Sequence, residues 1–290
     1  MLPGRLARLA LVFGALSLAA LMVFSACGGG KKEAGKTPTA GGIDISGVAE
    51  LKDGKLTVGS DIAYAPIEYY EEGTQNALGL DVDLMAAMAD VLGVDVEFQQ
   101  VADFAGIVGD LKAKRYDVVM SAISITPERE AEIDFIPYFG PVGTGILTQK
   151  GNPKGFTRME DVCGGKVAVQ AGTYQLTQVN DTINQTICKD NPIKLQTFPD
   201  NPTAVQELIL GRVDAELADD PVAAYSATQS PNVIELAVPG FESAPYGIGV
   251  RKDSPELKTA LEQALQKIRA EGTYTTILKK WGQEEFALAQ

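Results

Sequence analysis

The sequence predicts an α/β protein in which two units, each built on a parallel sheet, face each other across a cleft. From Lys55 onward, short apolar runs alternate with stripes at helical spacing, the pattern of parallel strands covered by helices on both faces. The 290-residue length suits two compact units, and a 45% hydrophobic content supplies a core for each. One short pattern also occurs twice, as LKAKRYDVVMS (residues 111–121) and LGRVDAELAD (residues 210–219). Each runs from a helix end through a basic residue, an apolar residue and Asp into a short buried strand that ends in polar residues. In open α/β sheets the polar groups just past the carboxyl ends of strands line the ligand crevice, so the two copies are placed to meet across one cleft.

The elements follow in order. KLTVG (residues 55–59) reads as a strand, and Leu84, Met88, Val91 and Leu92 form a helical stripe closed by Gly93. Residues 94–101 form the next strand; Ile107, Val108 and Leu111 mark a helix, and residues 117–120 another buried strand. The second half repeats this grammar. It has a strand at 166–170, a helix after Gly172, a strand at 195–198, and a helix from Pro202 to Gly211 with proline in the favoured first turn. A strand at 214–217 follows, and Leu257, Leu261, Leu265 and Ile268 stripe a late helix opened by Asp253, Ser254 and Pro255.

Two stretches precede the folded body. Arg5 and Arg8, an apolar run from Leu9 to Val23 and the tetrad FSAC ending at Cys27 have the three parts of an export signal. The tetrad resembles a lipobox, with Phe24 where leucine is usual, so residues 1–27 read as a lipoprotein signal and Cys27 as the lipidated residue. The alternative is an uncleaved anchor, since the run is near the lower length limit for spanning a membrane. Residues 28–50, rich in Gly, Thr, Pro and charge, read as a flexible tether. No long apolar run follows residue 27.

Charge and composition exclude several functions. The net charge of −13 and a pI near 4.6 argue against binding to a nucleic-acid backbone. The chain has no histidine, which removes Ser-His-Asp triads and histidine-ligated metals. Of its three cysteines, assigning Cys27 to a lipid leaves Cys163 and Cys188 as a pair. In an exported protein such a pair oxidises, and closing a loop of about 25 residues stabilises by roughly 3 kcal/mol; the alternative is two buried free thiols.

The chemistry lies beyond the repeated strands. Ser121, Ser124 and Thr126 offer hydroxyls, and Arg129 enters a short helix; arginine grips a carboxylate through two parallel charge-assisted hydrogen bonds. After the second of these strands come Asp219 and Asp220, suited to an ammonium group. An anion clamp on one unit and a cation clamp on the other together fit a zwitterion.

The segments LTVGSD (56–61), YAPIE (64–68), GLDVDL (79–84), DFAGI (103–107), SITPER (124–129), VAVQAGT (167–173) and LADDP (217–221), with GTY (272–274) and Lys280-Trp281, resemble in order the family 3 extracellular solute-binding proteins. These are polar amino acid receptors of ABC importers and include glutamine- and histidine-binding proteins. The resemblance spans about residues 51–285 and implies a two-lobed periplasmic-binding-protein type II fold with two hinge segments. Lobe 1 is expected at 51–141 and 245–290 and lobe 2 at 142–244, with Gly140, Gly143, Gly145 and Gly247 placed to absorb hinge rotation. Carried over by position, Arg129 holds the ligand carboxylate, helped by Ser124 and amides near Thr173. Asp219 takes the ammonium, helped by the Ala122 carbonyl or a nearby hydroxyl such as Ser121. Asp61, Tyr64 and Phe104 surround the ligand side chain, Gln170 and Tyr174 tune its selection, and Glu68 is either support or contact.

The resemblance further implies a monomer needing no cofactor or metal, outside the cytoplasm, anchored through Cys27 and partnered with importer permease subunits. A binding-only receptor for a polar or charged L-amino acid is the main reading. The alternative is a dehydratase of the cyclohexadienyl type on the same fold, for which Glu68 is the obvious spare proton donor.

Overall fold

The computed structural model describes residues 42–288. The expected signal segment with Cys27 and most of the expected tether lie outside the described residues.

The first lobe opens with β1 (Lys55–Ser60) and a small antiparallel sheet of β2 (Ala63–Tyr64), β3 (Glu68–Tyr70) and β4 (Ala77–Leu78). Helix α1 (Leu80–Leu92) buries Leu84, Met88 and Leu92 at the expected spacing. It ends at Gly93, whose φ of 72° a residue bearing a Cβ adopts only at a cost. β5 (Asp95–Gln100), α2 (Ile107–Lys112) and β6 (Val118–Val119) follow. α3 (Pro127–Glu132) starts where the Thr126 hydroxyl accepts the Arg129 N–H.

Strand β7 (Asp134–Gln149) then leaves the first lobe for the second. That lobe contains β8 (Lys166–Gln170), α4 (Tyr174–Thr177), β9 (Lys194–Phe198), α5 (Asn201–Ile209), β10 (Ala215–Asp219) and α6 (Asp220–Gln229). Strand β11 (Ile234–Val250) returns, and α7 (Pro255–Ala270) and α8 (Thr273–Lys280) complete the first lobe. α7 lays Leu257, Leu261, Leu265 and Ile268 into the same apolar cluster as the buried face of α1.

The large sheet has the order β5-β1-β6-β11-β7-β10-β8-β9. β5, β1 and β6 are parallel, as are β10, β8 and β9. β7 and β11 run antiparallel to each other and to their outer neighbours. The expectation of purely parallel sheets is thus corrected to two parallel triplets joined by an antiparallel pair. The physical reason is direct: a chain that crosses between lobes and comes back must lay its two crossings in opposite directions. Between Leu236 and Gly247 the register of this pair shifts repeatedly. Of the glycines expected at the hinge, Gly140 has a φ of 105°, while Gly143 and Gly247 mark close packing. A Cβ on Gly143 would stand 2.7 Å from Gly240, and one on Gly247 2.7 Å from the Phe135 ring.

The tether expected to reach residue 50 ends earlier. Ile43, Ile45 and Val48 are buried in the core beside Leu51. Glu50 accepts from Arg251 Nη2 at 2.9 Å and from Ser254 Oγ at 2.5 Å. Isolated apolar residues among Gly, Asp and Ser carry no periodicity, yet each removes apolar area from water once the C-terminal helices are in place. In the second lobe Cys163 and Cys188 form a disulfide with Cα atoms 5.2 Å apart, beside Val162, Val167, Ile183 and Leu217. No helix among the described residues is long and apolar enough to cross a membrane.

Candidate ligand-binding site

The carboxyl ends of β1, β6, β8 and β10 converge on a small cavity between the lobes. Eleven of the residues expected from the sequence line it: Asp61, Tyr64, Phe104, Ser121, Ala122, Ser124, Arg129, Gln170, Thr173, Tyr174 and Asp219, whereas Thr126 and Asp220 do not. Glu68 and Gln175 complete the wall. The two copies of the repeated pattern deliver Ser121 and Asp219 to the same space, as the rule for strand ends anticipates.

Arg129 sits in the first turn of α3 with its guanidinium 5.6 Å from the Phe104 ring centroid. Its Nη1 donates to Ser124 O at 2.6 Å and its Nη2 to Gly172 O at 2.9 Å. Burial lowers its pKa to about 10 against the opposing pull of Asp219; it stays charged at neutral pH. A guanidinium has five N–H donors, so two carbonyls fix its orientation and leave donors for a carboxylate. Ser124 meets Arg129 through its backbone carbonyl. Thr126 caps the helix instead of reaching the cavity.

Asp219 faces this cation from the second lobe. Tyr64 donates its hydroxyl to Asp219 Oδ2 at 3.1 Å and accepts the Asp219 N–H at 3.0 Å, and Gln175 Nε2 donates to Oδ1 at 2.8 Å. Burial nevertheless raises the Asp219 carboxyl to about 6. Thr173 caps α4 and turns its hydroxyl to Gln170 O at 2.8 Å.

Asp61 occupies a third corner. Its Oδ1 accepts from Gln100 Nε2 at 2.9 Å and its Oδ2 from Gln170 Nε2 at 2.6 Å. Burial raises its pKa and the two amides pull it back. Its N–H donates to Ser121 Oγ, which in turn donates to Glu68 Oε1 at 3.0 Å.

Gln100 and Gln175 went unread in the sequence. Gln100 ends a parallel strand next to β1, where the strand-end rule would have found it. Gln175 lies two residues past Thr173 in the first turn of α4 and carries no charge to draw attention.

The fold and this geometry define a class: a two-lobed clamp whose jaws meet on a small polar solute. Residues 56–284 match the bacterial extracellular solute-binding proteins, family 3, and the chain belongs to that family. It is 33% identical to the arginine-binding protein ArgT of Corynebacterium glutamicum, over 80% of this chain and 75% of that protein. It is 28% identical to the L-cystine-binding protein TcyJ of Escherichia coli, over 79% of this chain and 82% of that one. Among solved structures it resembles an ancestral arginine-binding protein bound to arginine. The TM-score is 0.72 at 36% identity, covering 79% of this chain and 98% of the other.

Proposed function

We propose that this protein captures a basic L-amino acid, of the arginine type, by closing its lobes on it, and delivers it to the membrane subunits of an ABC importer. The observation that carries the ligand class is the charge inventory of the cavity. Among the described residues lining it, Arg129 is the cation and Asp61 and Asp219 the anions, while burial beside Asp81 raises the Glu68 carboxyl well above the usual carboxylate range. An amino acid's carboxylate and ammonium match Arg129 and Asp219. Asp61 is then left as a buried carboxylate held only by two neutral amides, and a cationic side chain is the partner that removes this penalty. The arginine ligands named for relatives of this chain support the same class.

Receptor is the reading over dehydratase because both charged clamps are matched by an intact amino acid, and Glu68 is engaged by Ser121. The domain division at residues 142 and 245, the monomeric state and anchoring through a lipidated Cys27 are part of this proposal, supported by family membership and the signal-like N-terminus. A thermal-shift panel of the twenty amino acids on refolded, ligand-free protein tests it. Basic amino acids should give the largest shifts, and Asp61→Asn should transfer the preference to a neutral amide such as glutamine. A largest shift from an acidic or apolar amino acid contradicts the ligand class.

A further inference from the structure

At the cavity wall and just behind it, two carboxyl groups of the first lobe are buried together. Glu68 on β3 and Asp81 in the first turn of α1 are both fully buried. The backbone forces them side by side: Asp81 N–H donates to Ile67 O at 3.0 Å, and Gly79 lies so close to Ile67 and Glu68 that a Cβ there would stand 2.1 Å from Ile67 O. Their partners Ser121 and Ala122 are consecutive residues, so the two carboxyls approach the same point of the chain. Neither pairs with a lysine or arginine among the described residues.

What faces the pair is specific. From β7 the Tyr138 hydroxyl bridges both oxygens of Asp81, at 2.7 and 2.8 Å, and Ala122 N–H donates to Asp81 Oδ2 at 3.1 Å. Ser121 donates to Glu68 Oε1, with Asp61 on the far side of that serine. Beyond Tyr138 stand Tyr246 of β11, with ring centroids 6.2 Å apart, and Tyr274 of α8, which donates to the Tyr138 carbonyl. Written as a carboxylate, Glu68 leaves Oε2 buried without a partner. A proton between the two acids supplies that partner and removes the repulsion of adjoining like charges.

We propose that Glu68 and Asp81 titrate as one pair and act as positioning residues for the ammonium end of the cavity, so that capture of an amino acid drives the pair from its two-proton form to the anion that shares one proton, the other going to solvent. This rests on the amino acid reading above. The link is structural: Ser121 and Ala122 both line the cavity, and each is held by one member of the pair. Ala122 has a φ of 45°, a left-handed conformation that a residue with a Cβ adopts only at a cost, and its N–H donates to Asp81 from there. Burial raises the Asp81 carboxyl to about 7, so near neutral pH the pair passes between a neutral form with two protons and an anion with one. A ligand ammonium beside Ala122 favours the anion, and the displaced proton is the linkage signal.

The test is titration calorimetry of the mature full-length protein with L-arginine near pH 7, in buffers of unlike ionisation heat, repeated from about pH 6 to 8. Wild type should release protons and bind more tightly as pH rises. Asp81→Asn should lose roughly half or more of that release, leaving the part centred on Asp219 at lower pH. Glu68→Gln, which keeps shape and a donor, provides a second variant if Asp81→Asn fails to fold. Infrared difference spectra should show that Glu68→Gln loses protonated-carboxyl intensity relative to ligand-free wild type, over the contribution that buried Glu216 makes to both. Unchanged proton release and pH profile in both variants, or no loss of protonated-carboxyl intensity in Glu68→Gln, overturns the proposal. A wild type that binds no amino acid instead overturns the capture reading and its coupling, with the infrared band still reporting on the pair itself.

Discussion

Arg129 is oriented by carbonyls from both lobes, Ser124 O and Gly172 O, so its planar fork is fixed before any carboxylate arrives. Arg129→Lys keeps the charge but loses the fork, and should weaken binding by at least about 2 kcal/mol, roughly 30-fold; unchanged affinity in calorimetry contradicts the clamp. A second consequence concerns Glu216, buried on β10 with Asn201 Nδ2 donating to it at 2.8 Å. Burial pushes its carboxyl up to about 8, as it does Asp81 to about 7 and Asp219 to about 6. A carboxyl whose folded pKa is raised holds its proton more tightly in the folded state. Its stabilisation is complete below the unfolded value and lost as pH rises through the folded one. The urea midpoint of ligand-free protein should therefore fall from about pH 5 to pH 8, and Glu216→Gln should raise the midpoint more at pH 8 than at pH 5. A midpoint that climbs with pH contradicts this. The charged residues of the cavity were legible in the sequence because a lone Arg or Asp past a strand end demands a partner. Glu216, Gln100 and Gln175 were not, since their roles come from burial and contacts the chain makes only when folded.

The helices announced themselves through apolar stripes and end signals, as in α1 with Gly93 and α7 behind Ser254 and Pro255. Strands β7 and β11 did not. Their sequences, DFIPYFGPVGTGILTQ and IELAVPGFESAPYGIGV, are interrupted by proline and glycine that normally argue against a central strand. Here those residues serve irregular pairing and close backbone approach along the crossing between lobes. The N-terminal segment around Ile43 and Ile45 was likewise hidden, because its apolar residues follow no period. The disulfide was legible from cysteine count, and it ties the 3-10 turn at Met159–Val162 to the segment after Ile183. Replacing Cys163 and Cys188 together by alanine should lower stability by about 2–5 kcal/mol in chemical denaturation. The order of ligands in the thermal-shift panel should stay the same, because neither cysteine lines the cavity. A changed order would mean that the bond shapes the site.

At the scale of the whole molecule, the two lobes meet through the groups that form the site. Tyr64 reaches Asp219, Gln170 reaches Asp61, and Arg129 reaches Gly172, each across the cleft. Outside the cavity Tyr69 approaches Tyr225 at 6.4 Å and Trp281, the sole tryptophan, at 6.2 Å. Arg129 and Asp219 belong to different lobes, so neither lobe alone satisfies both ends of an amino acid. Separation hydrates each charge, and closure desolvates both and leaves the ligand to match them. A ligand shifts the open–closed equilibrium only through its differential affinity for the two states. On the proposed reading an intact amino acid engages both clamps, whereas an amine or an acid engages one. The direct test is small-angle scattering of refolded protein with L-arginine, its decarboxylated amine and its deaminated acid. The radius of gyration should fall with the amino acid and with neither half-ligand. Equal compaction by the amine or by the acid would contradict capture by a two-ended charge clamp.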